Sequence, residues 1–194
     1  MLNFARRKEG LLIPIALAVL AILFVASPTI ASGNKTINIV GTNIWAGPNT
    51  FILNTYRFDG GPIFVKSGTV IMINDNTPDP HSLTLVVPSD LPSTPLAAVD
   101  CTTGICAAAG AAVPPSAPPP FCFSTESPAA TGTTASSPCV LETPFSVETA
   151  TTGDQVAIVP GQPIYIEVVG TPGTVIHFMC VFHPWMQGEF IITK

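Results

Sequence analysis

Charged side chains are scarce in this sequence. They make up 10% of its 194 residues, and cations are the rarer sign. Downstream of Ala31 only Lys35, Arg57, Lys66 and Lys194 stand against eleven Asp/Glu, a balance of −7. Four scattered cations on a net-acidic domain cannot track a phosphate backbone, which excludes nucleic acid as a partner. Histidine is limited to three positions and cysteine to five. There is no phosphate-binding loop, no internal repeat and no helical heptad. What is abundant is proline, with 21 residues, and glycine, with 15, a composition hostile to long helices.

Long apolar runs are lacking too, with one exception. Leu11–Ala26 is sixteen residues long and broken only by Pro14, and it follows the basic stretch Arg6, Arg7, Lys8. A small polar segment with a candidate cleavage site at Thr29-Ile30-Ala31 comes next. This order is that of an export signal. Residues 1–31 are therefore read as a signal peptide or membrane anchor. A spanning helix needs about 20 apolar residues and a signal core about 7–15, so length leaves cleavage and anchoring both open. No lipobox cysteine is present, and Arg6-Arg7 lacks the company of a twin-arginine signal. The basic flank places residues 32–194 on the periplasmic or extracellular face of the membrane, with membrane contact only through an uncleaved N-terminal segment.

The remainder reads as all-β. Thr36–Val40, Thr50–Phe58, Ile63–Val65, Thr69–Asn74 and His81–Val87 are expected strands, separated by turns such as Asp59-Gly60-Gly61-Pro62. The pattern resumes at Phe145–Glu148, Gln155–Val159, Pro163–Val169, Thr174–Met179 and Gly188–Thr193. About nine strands at this spacing fit one Greek-key β-sandwich. Between the two blocks, residues 88–144 are rich in Pro, Ala and Thr and have no clear period. They read as a loop-rich insertion within the domain. Five cysteines is an odd number, so one needs a separate role. Cys180 is the natural odd one. That leaves Cys101, Cys106, Cys122 and Cys139 for two disulfides. Three pairings are open, of which Cys101–Cys106 with Cys122–Cys139 is the most local.

Cys180-Val181-Phe182-His183-Pro184-Trp185-Met186 concentrates the chemistry. A thiolate, an imidazole and a thioether lie within seven residues at the end of an expected strand. Two imidazoles, a thiolate and a weak axial thioether form a type 1 copper centre. The second imidazole has to come from elsewhere. His81 shares a strand face with Leu83 and Leu85, so it points inward at the start of its strand. An inward imidazole needs a partner. His177 lies three residues before Cys180, on the opposite face, and is expected not to be a ligand, whereas Phe178 shares the Cys180 face and is expected beneath the metal. Methionine is a poor ligand for zinc, and nothing suggests the substrate cleft a Cys–His nucleophile requires.

From Ile63 to the C-terminus, leaving out the insertion, the chain resembles a cupredoxin of the plastocyanin/amicyanin kind. Val65-Lys66-Ser67-Gly68-Thr69 leading to Pro80-His81 carries the resemblance. So do Pro172-Gly173-Thr174, Phe178 and Cys180 through Gly188, with C-x2-H-x2-M spacing like amicyanin's short ligand loop. The resemblance implies one type 1 copper held by His81, Cys180, His183 and Met186. It implies a blue-copper electron transport protein, not an enzyme, that exchanges electrons with membrane or periplasmic redox partners. His183, Pro184 and Trp185 would form its electron-transfer surface. One departure concerns the residue after the first ligand, often Asn in the family and here Ser82. The shorter side chain puts the bond between the two ligand loops in doubt. Two other functions compete with the carrier: copper delivery or storage with the same ligands, and a metal-free interaction module.

Overall fold

A computed structural model of the chain describes residues 35–45, 47, 52–112, 120–125 and 133–194. The N-terminal segment 1–31 lies outside them, and with it the expectations of a signal peptide or anchor. Among the described residues no helix is long and apolar enough to cross a membrane.

Two sheets form a sandwich. The first orders its strands β4 (Arg57–Phe58), β1 (Lys35–Val40), β6 (Thr69–Asp75), β11 (Ile164–Val168) and β9 (Cys139–Leu141). The second orders β5 (Ile63–Lys66), β13 (Gln187–Thr193), β12 (Val175–Met179), β7 (His81–Val86), β10 (Gln155–Ile158) and β8 (Cys122–Phe123). A short hairpin of β2 (Asn43–Trp45) and β3 (Ile52–Asn54) stands apart. From β4 to β7, and again from β10 to β12, consecutive strands alternate between the two sheets. Period-2 alternation explains which side chains meet between them. Ile71 and Ile73 of β6, Ile164, Ile166 and Val168 of β11, and Leu83 and Leu85 of β7 are fully buried in one core with Phe178, Phe190 and Ile192.

Two expected strands differ. Thr50–Phe58 is not one run: β3 and β4 are separated at Thr55 and Tyr56. The Asn54 side chain accepts the Tyr56 N–H at 2.9 Å, a local bond that competes with the sheet ladder. Around Phe145–Glu148 there are only isolated bridges, Val86 with Phe145 and Ser146 with Thr151.

The insertion proves to be more than an excursion. Its β8 pairs with β10 and its β9 with β11, so it supplies an edge strand to each sheet. The disulfide Cys122–Cys139 thus joins one sheet to the other, and Cys101–Cys106 closes a second bridge. Two short helices, α1 (Pro95–Val99) and α2 (Gly104–Ala111), are also built from it. Ile105, Cys106 and Ala109 of α2 pack with Val86, Phe145 and Met179 in a second apolar cluster. That layer explains why every residue of β7 is buried, although its outer face carries Ser82 and Thr84. Gln155 ties the layer down: its amide donates to the Ala109 carbonyl at 3.0 Å and accepts from Thr84 Oγ1 at 3.2 Å. Buried Asp154 does the same farther along. It accepts from the backbone N–H groups of Thr125, Glu142 and Thr143 at 2.7–2.8 Å.

Candidate metal centre

His81 opens β7, and Cys180 follows directly on β12, its hydrogen-bonded neighbour. The loop beyond Cys180 is closed by two backbone bonds. Met186 N–H donates to the His183 carbonyl at 2.8 Å, and Cys180 N–H donates to the Met186 carbonyl at 3.0 Å. This short loop returns His183 to the side of Cys180 and buries Met186 in the same apolar core. Gly188 then pairs with Phe178 across β12 and β13, and a Cβ there would come within 2.5 Å of the Phe178 ring. Glycine leaves room for that ring. Phe178 is held by Phe58 and Phe190 at ring-centroid distances of 5.1 and 4.6 Å.

His81 Nδ1, His183 Nδ1 and Cys180 Sγ form a triangle. The nitrogens are 3.1 Å apart, and the sulfur lies 3.8 Å from His81 and 3.7 Å from His183. The point equidistant from the three atoms is about 2.1 Å from each, inside the roughly 2.0–2.3 Å span of bonds from nitrogen and sulfur to a first-row metal ion. Among the described residues this is the one group of His, Cys, Asp or Glu donors close enough to hold an ion. His81, Cys180, His183 and buried Met186 are thus grouped as a donor set of the type 1 copper kind. His177 lies outside the group. It is half-buried opposite Glu189, while Phe178 and Cys180 share the core face.

The electrostatics suit a metal. Burial pushes the His81 pKa down to about 4, with His183 adding to the shift, and burial also lowers that of His183. Both imidazoles therefore stay neutral, the form that ligates. Burial raises the Cys180 thiol above its ordinary value, while the nearby amides of Ser82, His183 and Phe182 and the Ser82 hydroxyl act against it. Without a cation the sulfur keeps its proton.

The bond between the two ligand loops, in doubt from the sequence, is present. Ser82 Oγ accepts the Val181 N–H at 2.9 Å, and Ser82 N–H points at Cys180 Sγ from 3.3 Å. The hydroxyl is long enough because β7 and β12 are adjacent strands.

Sequence reasoning missed three residues beside the histidines. Tyr56 is buried and sets its ring edge-on to both imidazoles, 5.0 Å from His81 and 5.1 Å from His183. Its hydroxyl donates to Asp79 at 2.6 Å. Burial and that carboxylate push its pKa up to about 12, and the same bond lowers the pKa of Asp79. Thr77 and Asp75 form a chain behind His81. Tyr56 hides inside what reads as a continuous strand, whereas Asp75 and Thr77 sit within six residues of His81 and were open to notice.

The three residues expected at an electron-transfer surface differ in exposure. Trp185 is 38% exposed and half-buried His183 lies 5.3 Å from its ring, but Pro184 is buried. Gln187 explains it: its amide donates to the carbonyls of Pro184 and Pro92, drawing the insertion against the loop. Phe182, in the same loop, is 50% exposed.

No family model matches the chain, and no curated protein matches it. Solved structures do. A purple cupredoxin from Nitrosopumilus maritimus is similar at 10% identity over 82% of this chain and all of that one, with a TM-score of 0.41. Auracyanin from Roseiflexus castenholzii is similar at 14% identity over 84% of this chain and 98% of that one, TM-score 0.41. Auracyanin A, a "blue" copper protein from Chloroflexus aurantiacus, is similar at 14% identity over 83% of this chain and all of that one, TM-score 0.37.

Proposed function

We propose that this chain is an exported type 1 copper protein that carries single electrons between a donor and an acceptor protein. The observation that supports it most is the triangle of neutral, buried donors at His81, Cys180 and His183, with Met186 beside them. Copper, when bound, supplies the Cu(II)/Cu(I) couple. His81, Cys180 and His183 would hold it, with the Met186 sulfur as a further, weak donor. Their positions are set by the fold itself. His81 is fixed in a buried strand, and the Cys180–Met186 loop is fixed by backbone bonds and by Ser82. Little reorganisation means fast electron exchange.

Burial does the rest. Cys180, His81 and Met186 are closed to solvent, which leaves no room for a substrate and favours a carrier over an enzyme. Half-buried His183, between exposed Phe182 and Trp185, is the electron's exit. A small apolar contact of this kind suits a brief encounter with a redox partner. The two disulfides and the N-terminal signal pattern support export to an oxidising compartment.

Voltammetry of the copper-loaded full chain tests the reading. A reversible one-electron wave with fast exchange is expected. Tight Cu(I) binding without a stable Cu(II) form points instead to delivery or storage. A chain that retains no metal points to an interaction module.

A further inference from the structure

Asp75 ends β6 and His81 opens β7, and the short loop between them folds back on itself. Asp75 Oδ1 accepts from Thr77 N–H at 2.9 Å and from the Thr77 hydroxyl at 2.7 Å. Thr77 Oγ1 in turn lies 2.8 Å from His81 Nε2. Asp75 itself is 4.0 Å from that nitrogen, too far for a direct bond. All three residues are buried, with exposures of 4%, 5% and 0%.

The donors and acceptors can be assigned by counting. A threonine hydroxyl has one proton. Around Thr77 Oγ1 it faces the Asp75 carboxylate and, at 3.2 Å, the Asp79 carbonyl. Both are acceptors, so the proton goes to one of them. Toward His81 the hydroxyl is left only a lone pair. The arrangement that satisfies most of these groups has His81 donating from Nε2, which leaves the Nδ1 lone pair facing Cys180 and His183.

Asp75 is an expensive way to hold a loop. Its Oδ2 is buried with no hydrogen-bond partner among the described residues, and no Lys or Arg is paired with it there. Leaving such a group unsatisfied in an apolar surround is costly. An asparagine would accept the same two bonds from Thr77 without the buried charge. A purely structural role does not account for the carboxylate.

We propose that Thr77 and Asp75 are positioning residues for His81: Thr77 fixes the tautomer that offers Nδ1 to the metal, and the charge of Asp75, passed through the Thr77 hydroxyl, favours Cu(II) over Cu(I). The inference rests on the copper reading for its second half only. The first half concerns the copper-free protein. Carboxylates behind ligating histidines orient the ring and raise its basicity, and their loss typically weakens metal binding about 10- to 100-fold.

The first measurement is nitrogen-15 NMR of the His81 ring in the copper-free full chain. The proton is expected on Nε2, and a proton on Nδ1 overturns the assignment. The second is Cu(II) affinity and midpoint potential in four copper-loaded chains: wild type, Thr77→Ser, Thr77→Val and Asp75→Asn. Thr77→Ser keeps the hydroxyl and is expected to stay within twofold of wild type. Thr77→Val is expected to lose about 10- to 100-fold in Cu(II) affinity. Asp75→Asn keeps the acceptor and the fold but not the charge. It is expected to lower the preference for Cu(II) about tenfold, which for one electron is about 59 mV upward. A wild-type potential in Asp75→Asn overturns the electrostatic half, even if Thr77→Val fails to fold. A wild-type chain that takes no copper sinks the copper reading instead, and the ring proton then decides the positioning half alone.

Discussion

Ser82 and Cys180 meet across two adjacent strands: the Ser82 N–H points at the cysteine sulfur from 3.3 Å, and the Ser82 hydroxyl accepts the N–H of the next residue, Val181, at 2.9 Å. One serine therefore holds both the ligating sulfur and the loop that carries it. Ser82→Ala keeps the first contact and removes the second. The expected cost is about 1 kcal/mol, or roughly 2–4 °C in melting temperature, together with weaker Cu(II) binding. Thermal melts of the copper-free and copper-loaded chains check it, and a copper-loaded melt equal to wild type would count against the role.

The bridge between the sheets makes a prediction of its own. Cys122–Cys139 closes a 17-residue separation and Cys101–Cys106 one of 5. In the chain-entropy account the longer loop contributes about 3 kcal/mol and the shorter about 2. Replacing Cys122 and Cys139 by alanine is expected to destabilise the chain more than replacing Cys101 and Cys106. Denaturant midpoints of the two double variants decide the order.

Gly188 is required by the ring it supports. An alanine Cβ there meets Phe178 at 2.5 Å, a contact that something must relieve. Gly188→Ala is expected to cost about 1–3 kcal/mol and to broaden the copper spectrum by shifting the ligand loop. Melting curves and the copper EPR line shape report the two effects separately.

Acid should loosen the copper-free protein. The His81 pKa falls from its ordinary 6.5 to about 4 on folding, so the unfolded chain binds the extra proton first. Stability is then whole above about pH 6.5, declines as pH falls, and has lost the full contribution below about pH 4. A shift of this size corresponds to roughly 3 kcal/mol. Urea midpoints between pH 4 and pH 7 measure it.

Copper uptake should release a proton. The two histidines are already neutral at pH 7, while burial keeps the Cys180 thiol protonated. Ligation as thiolate is expected to displace about one proton per Cu(II), read by titration in weakly buffered solution. A release of two or three protons would contradict the neutral imidazoles.

The site was legible in the sequence wherever chemistry was compressed into a short stretch. Cys180, His183 and Met186 declare themselves by spacing, and His81 by sharing a strand face with Leu83 and Leu85. Ser82 was legible as a position but not as a bond, because its reach depends on how closely two strands lie. Tyr56 was hidden by the Asn54 side chain, which breaks an apparently continuous strand at that point. The insertion was read as loop for a different reason. Cys122–Phe123 and Cys139–Leu141 are too short to show a period, and α2 is so rich in alanine that no face stands out. The buried outer face of β7, Ser82 and Thr84 included, becomes intelligible only once α2 is placed over the neighbouring Val86 and Met179.

His81, Cys180, His183 and Met186 are proposed as a type 1 copper site. The most direct measurement is the visible absorption and EPR spectrum of the full chain after addition of Cu(II). An intense thiolate-to-copper band with narrow copper hyperfine splitting, lost in Cys180→Ala, is the predicted result. A colourless protein, ordinary tetragonal copper, or colour that survives Cys180→Ala would contradict it.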